Sequence, residues 1–187
     1  GVIADVFIAV EKEMYEEVQE AAGGWADYKE FIVMDKVRES ENITSILLKP
    51  ADGQALPAFK PGQYMTIRIS IPGEQYLMNR QYSLTCSPNK EYFRISVKKE
   101  LPGSSPDGKV SNYLHTYLNV GDRLEATAPA GDFTLDVMES KPVYFIAGGV
   151  GITPFMSMLH TLSEKNPSRE VVLKHSVRNE QIRPFNK

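Results

Sequence analysis

Two short segments hold residues able to do chemistry together. Arg80-Gln81-Tyr82-Ser83 places a cation, an aromatic ring and a hydroxyl on one extended stretch. Gly148-Gly149-Val150-Gly151-Ile152-Thr153-Pro154 is a glycine-rich turn between an apolar run and a helical pattern. A guanidinium can fork onto a phosphate, and a tyrosine ring can lie against a flat heteroaromatic. A serine hydroxyl or its N–H can bond that ring's redox edge. These are the needs of a flavin nucleotide. The glycine turn suits a nicotinamide nucleotide, because glycines let a phosphate approach the backbone. In this order the two segments point to electron transfer from nicotinamide to flavin.

Taken singly, each segment has a plainer reading. Arg80 could be an exposed arginine beside ordinary strand residues. Gly108-Lys109-Val110-Ser111-Asn112-Tyr113-Leu114 opens a helix, so its free N–H groups can hold an anion. Ser111 could equally be an N-cap. Pro129-Ala130-Gly131-Asp132-Phe133 reads either as a tight turn with a buried Phe or as a segment near the flavin site. The turn at Gly148 is not GxGxxG, and it could serve strand–helix packing alone. Pro154 suits a first helical turn. His115, His160 and His175 show no metal-ligand spacing, so no metal is assigned. His175 and Arg178 follow a strand end and are weaker candidates for a nicotinamide contact.

The elements that must position these groups follow from periodicity. Residues 1–22 read as an amphipathic helix with Ile3, Phe7, Val10, Met14 and Val18 on one stripe, stopped by Gly23-Gly24. Glu11 lies nearer that stripe than Glu13; a solvated charge is the ordinary explanation of both. From Tyr28 onward short β-rich runs alternate with Pro, Gly and Asn turns: Phe31–Met34, Ile43–Leu48, Met65–Ser70, Gln81–Thr85, Tyr92–Val97 and Arg123–Thr127. They predict a small antiparallel barrel, with a short helix over Val110–Leu118 and an exposed loop at Leu101–Asp107. Val143–Ala147 reads as a strand of a buried parallel sheet. A helix over Thr153–Glu164 and the strand Val171–Leu173 follow, opening a doubly wound α/β unit.

Lys+Arg is 21 and Asp+Glu is 24, giving a net charge of −3 and no basic block for nucleic acid. The single cysteine, Cys86, excludes an internal disulfide and fits a cytoplasmic protein. No apolar run approaches the roughly 20 residues of a membrane span. A chain that starts on a helical pattern without Met, and stops after a strand, reads as a piece of a larger protein.

The ordered set Pro61 through Tyr64, Arg80 through Ser83, Gly108 through Leu114, Pro129 through Phe133 and Gly148 through Pro154 resembles the ferredoxin–NAD(P)+ reductase superfamily. The first residues, with Glu11-Lys12-Glu13-Met14-Tyr15 and Gly23-Gly24-Trp25, resemble the last globin helix and junction of flavohemoglobins. The resemblance implies the end of a globin domain (1–24), a six-stranded antiparallel β-barrel FAD domain (25–138) and the start of a doubly wound α/β NAD(P) domain (139–187). It implies a nitric oxide dioxygenase, in which electrons pass from NAD(P)H through FAD to heme and nitric oxide and oxygen become nitrate. By resemblance, Tyr64, Arg80, Gln81, Tyr82, Ser83, Gly108, Val110 and Ser111 hold FAD. Gly149, Val150, Gly151, Ile152, Thr153 and Pro154 hold NAD(P). Glu11, with Glu13 as fallback, maps to a carboxylate relaying charge to the proximal histidine. Heme belongs to the parent protein only, so the isolated piece is expected to be inactive and monomeric. The rivals are a stand-alone NAD(P)H–flavin reductase or oxygenase reductase component, and a truncated chain that binds FAD and transfers nothing.

Overall fold

A computed structural model describes residues 24–88, 90–100 and 108–185. The readings on residues 1–22, Glu11 and Glu13 among them, lie outside the described residues, as does the loop at 101–107.

Alternation drives the first sheet. In β3 (Tyr64–Ile69), Met65, Ile67 and Ile69 are buried and the residues between them are not, which is the period of a strand with one face on a core. β1 (Lys29–Arg38), β2 (Ile43–Pro50), β4 (Met78–Ser83), β5 (Phe93–Lys98) and β6 (Arg123–Ala126) complete it. The order is β4-β3-β6-β1-β2-β5, antiparallel throughout. A bulge at Met34 shifts the β1–β2 register, with Val33 opposite Leu48 and Asp35 opposite Leu47. The edge strands meet at an isolated Leu84–Ile95 bridge, where the Thr85 N–H also donates to the Arg94 carbonyl at 2.7 Å. The sheet thus curls into the expected barrel. Its core stacks Phe31 on Phe93 at 6.0 Å, with Trp25 and Phe59 at 5.6 and 5.8 Å from that pair. Each buried ring contributes about 1.5–3 kcal/mol. Trp25 Nε1 also donates to the Ala126 carbonyl, anchoring the chain's entry.

α1 (Lys109–Thr116) closes the barrel with Val110 and Leu114 inward. Two side chains tether it. The Lys36 ammonium donates to the carbonyls of Leu114, His115 and Leu118 at 2.9, 3.1 and 2.6 Å, satisfying groups a helix C-terminus leaves open. His115 Nε2 donates to the Val97 carbonyl at 2.8 Å, and Nδ1 lies 3.3 Å from the Thr44 hydroxyl. Burial lowers the His115 pKa more than the Val97 bond raises it. The unfolded chain therefore takes up this proton first. The associated stability is complete above the ordinary histidine pKa, about 6.5, and is lost as pH falls through the lowered folded value. Urea unfolding at pH 7.5 and 5.5 should show a drop at the lower pH that His115→Gln reduces. A drop untouched by the substitution contradicts this assignment.

β7 (Val143–Gly148), a 3₁₀ turn (Gly149–Ile152), α2 (Thr153–Lys165) and β8 (Val171–Ser176) form a strand–helix–strand unit with parallel pairing from Val143–Val171 to Gly148–Ser176. Phe145, Met158 and Leu162 are its core, and the ring of Phe155 stacks on Phe145 at 4.8 Å. The strand β7 is not buried on both faces as its composition predicts. Tyr144 and Ile146 are 67% and 77% exposed, because among the described residues α2 covers only the Phe145 face. Ser157 ties the two units together: it accepts the Gly62 N–H at 2.8 Å and donates to the Pro154 carbonyl at 3.0 Å. Ser87 and Lys90 of the barrel both reach the Glu164 carboxylate at 2.9 Å.

Two local expectations are corrected. β4 runs over Met78–Ser83, earlier than the Gln81–Thr85 that residue preference suggests, because Met78 and Asn79 pair with Ile69 and Arg68. Of the two readings of the turn at Pro129–Phe133, the one with a buried Phe does not hold: Phe133 is 61% exposed, and its ring meets Phe155 edge-on at 5.8 Å.

Candidate functional site

Beyond the Leu84–Ile95 bridge the edge strands β4 and β5 part without pairing. The gap is a cleft of about 520 Å³, within the roughly 300–1,000 Å³ of small-molecule sites. Arg80, Gln81, Tyr82 and Ser83 border it from β4, and side chains from both faces of an edge strand can do so. Ser96, Lys98 and Glu100 border it from β5 and the residues after it. Gly108, Val110 and Ser111 come from the start of α1, and Val150 and Thr153 from the second unit. Residues widely separated in the chain thus share one cavity.

The donor set suits a dinucleotide. Arg80 is exposed, and its guanidinium donates to the neighbouring Asn79 carbonyl at 2.7 Å. Among the described residues it forms no ion pair. Lys98 is neutralised by Glu100 at 2.9 Å. The first turn of α1 closes with the Asn112 N–H donating to the Gly108 carbonyl at 2.8 Å, and the positive end of the helix faces the cleft side that Gly108, Val110 and Ser111 border. Gly108 begins this helix at φ +56, with no side-chain cap. A Cβ there would lie 2.7 Å from Glu100 Cβ, so the turn into α1 requires glycine. Ser111 does not cap the helix. Its hydroxyl donates to the Gly108 carbonyl at 2.9 Å and accepts the Glu100 N–H at 3.3 Å, joining α1 to the end of β5. Burial pushes the Tyr82 phenol up to about 12, so the ring is neutral near pH 7 and its hydroxyl is a donor.

The glycine turn stands on open ground. Added Cβ atoms at Gly148, Gly149 and Gly151 would meet nothing within 4 Å, leaving bare backbone for a ligand to approach. Gly149 has φ +51. His175, a candidate for a nicotinamide contact, instead donates from Nε2 to the Gly149 carbonyl at 2.9 Å and holds the turn. Ile152 is buried and anchors it, and Pro154 lies in the first turn of α2. Tyr64 does not border the cleft; its ring packs over Gly131, where a Cβ would lie 2.8 Å away. Ser96, Lys98 and Glu100 escaped sequence reasoning. Lys98-Lys99-Glu100 looks like a solvated run, and Ser96 alternates with Arg94 and Lys98 on the polar face of its strand. A serine between Ile95 and Val97 was the available signal.

Residues 30–135 match the oxidoreductase FAD-binding domain family, and residues 145–183 match the oxidoreductase NAD-binding domain family. Among curated relatives, the Bacillus anthracis flavohemoprotein is 56% identical over 179 residues, which is 96% of this chain and 44% of the relative. The Bacillus subtilis flavohemoprotein is 50% identical over 181 residues, 97% of this chain and 44% of the relative. The chain thus spans less than half the length of these relatives. Among solved structures, the FAD/NAD-binding domain of the Vibrio cholerae nitric oxide dioxygenase superposes with a TM-score of 0.80 at 42% identity, covering 85% of this chain and 66% of that one. The described fold, the cleft between its edge strands and these matches agree: the chain belongs to the oxidoreductase FAD-binding domain family, matches the oxidoreductase NAD-binding domain family after it, and is similar over nearly its whole length to flavohemoproteins.

Proposed function

We propose that the chain is the reductase part of a nitric oxide dioxygenase of the flavohemoprotein kind, cytoplasmic and monomeric, that uses NAD(P)H to convert nitric oxide and oxygen to nitrate at a heme held elsewhere in the protein. The observation that carries the reading is the meeting of Arg80–Ser83, the start of α1 and the turn at Val150–Thr153 around one cleft. Bound FAD would supply the change from a two-electron hydride to single electrons.

The chain's own residues then have separable tasks. Arg80 and the N-terminal turn of α1 bind the pyrophosphate. Tyr82 gives a neutral ring to the flavin plane, and Ser83, Gln81, Gly108, Val110 and Ser111 shape the site around it. Tyr64 acts indirectly, by packing beneath the β3–β4 pair. Gly149, Val150, Gly151, Ile152, Thr153 and Pro154 form the turn that receives NAD(P)H. The Gly62–Ser157 hydrogen bond holds α2 against the barrel, so the two nucleotide sites keep a fixed spacing.

Residues 1–24 are the end of a globin domain in this reading. An alignment of 179 of the 187 residues with a flavohemoprotein reaches into that segment, which supports it. Glu11, or Glu13, would be the carboxylate that tunes the heme-ligating histidine. The test is the spectrum and turnover of the protein as its gene encodes it. Flavin and heme bands that NAD(P)H alters, with nitric oxide consumption, are expected. Flavin bands without heme would make it a stand-alone reductase, and absence of flavin would remove the reading.

A further inference from the structure

Three hydroxyls lie buried beside the cleft. Ser45 on β2 and Ser96 on β5 are register partners, and their oxygens are 2.8 Å apart. Thr85 Oγ1 is 3.1 Å from Ser96 Oγ and 3.2 Å from the Arg94 carbonyl oxygen. Ser45 and Thr85 are fully buried and Ser96 is 3% exposed. Only Ser96 of the three borders the cleft.

The proton count fixes the direction of this chain. Each hydroxyl has one proton to give and two lone pairs. Ser45 Oγ has Ser96 Oγ as its hydrogen-bond partner, so its proton goes to Ser96; the reverse would strand a buried donor. The Arg94 carbonyl can only accept, so the Thr85 proton goes there. Thr85 then offers its oxygen to the Ser96 proton. Ser96 has thus spent its proton on Thr85 and one lone pair on Ser45. One lone pair remains on this residue, the one of the three that borders the cleft.

We infer that Ser96 is a ligand-binding residue that offers the cleft a fixed hydrogen-bond acceptor, selecting a nucleotide group with an N–H or O–H donor at that point. The inference rests on the flavin reading of the cleft. In a flavin nucleotide such donors are the imide N–H of the ring and the hydroxyls of the sugar-alcohol chain. A serine whose proton were free could face either a donor or an acceptor. Here the Thr85 oxygen takes the Ser96 proton and removes that choice, so Thr85 acts as a positioning residue.

The test is titration of FAD into the full chain, read by flavin absorbance and fluorescence, with Ser96→Ala and Ser45→Ala compared. Ser45→Ala removes a buried hydroxyl from the same chain but none from the cleft, so it reports loss of packing alone. Ser96→Ala should weaken FAD about five- to tenfold and shift the bound flavin's absorption bands, while Ser45→Ala stays within about twofold. Ser96→Cys, a similar volume and a weak acceptor, should rank with alanine and serves if the alanine variant is unstable. Unchanged affinity and bands in Ser96→Ala, or equal losses in Ser96→Ala and Ser45→Ala, overturn the inference and leave the flavin reading intact. No FAD binding by the unaltered chain overturns the flavin reading, and the role of Ser96 with it.

Discussion

Gly62→Ala should be among the most damaging single substitutions in the described chain, although it adds one methyl group. Gly62 sits at φ +108, where side chains are strained. An added Cβ would fall on the Phe133 carbonyl oxygen and lie 2.5 Å from Met158 Cε. The first is backbone and cannot swing aside. The Gly62 N–H also donates to Ser157 across the junction of the two units. Any shift that relieves the clash therefore stretches that bond. Backbone strain and overpacking together should cost about 2–5 kcal/mol. Gly121→Ala is the control: φ is +92, but a Cβ there meets nothing within 4 Å. It should cost about 1 kcal/mol, the strain alone. Urea unfolding of both variants separates the terms, and equal losses would contradict the account of the junction.

Arg80→Ala should weaken FAD binding roughly 10- to 100-fold, as expected for one or two charge-assisted hydrogen bonds at ~1.5–3 kcal/mol each. Arg80→Lys keeps the charge but loses the planar fork, so it should recover only part of the loss. Neither should change stability by more than about 0.5 kcal/mol, because Arg80 is exposed and, among the described residues, bonds its neighbour's carbonyl and forms no ion pair. Calorimetric titration of FAD, with thermal melts of the same samples, separates binding from folding. An alanine variant that binds FAD as the unaltered chain does would remove Arg80 from the site.

Much of the barrel was legible because its physics is local. Met65, Ile67 and Ile69 declare one buried face by alternation alone, and a partner on either side does not change that. The strand β7 shows where this logic stops. Val143 through Ala147 are all apolar, so composition says that both faces are covered, yet Tyr144 and Ile146 stand exposed among the described residues. Apolarity records what a strand needs, and a partner elsewhere decides whether the need is met. Phe133 misleads for the same reason.

The motif residues were legible as types, and their meeting in one cleft was not. Arg80, Gly108 and Val150 are far apart in sequence, and only the curl of the sheet and the hold of Ser157 on Gly62 bring them together. Ser96 and Glu100 were missed because their roles depend on partners: Ser45 and Thr85 for the first, Lys98 and the Ser111 and Asn112 side chains of α1 for the second. Tyr64 is assigned to the cofactor by resemblance, and the sequence gives no sign that its ring packs over Gly131.

The most direct test of the central claim, that the cleft between β4 and β5 holds FAD, is hydrogen–deuterium exchange of the chain with and without saturating FAD. Protection is predicted at residues 80–83, 96–100 and 108–114, with little change on β1 and β6. Protection centred instead on another cavity, beside Arg68, Leu124 and Glu125, or no protection at all, would contradict the account.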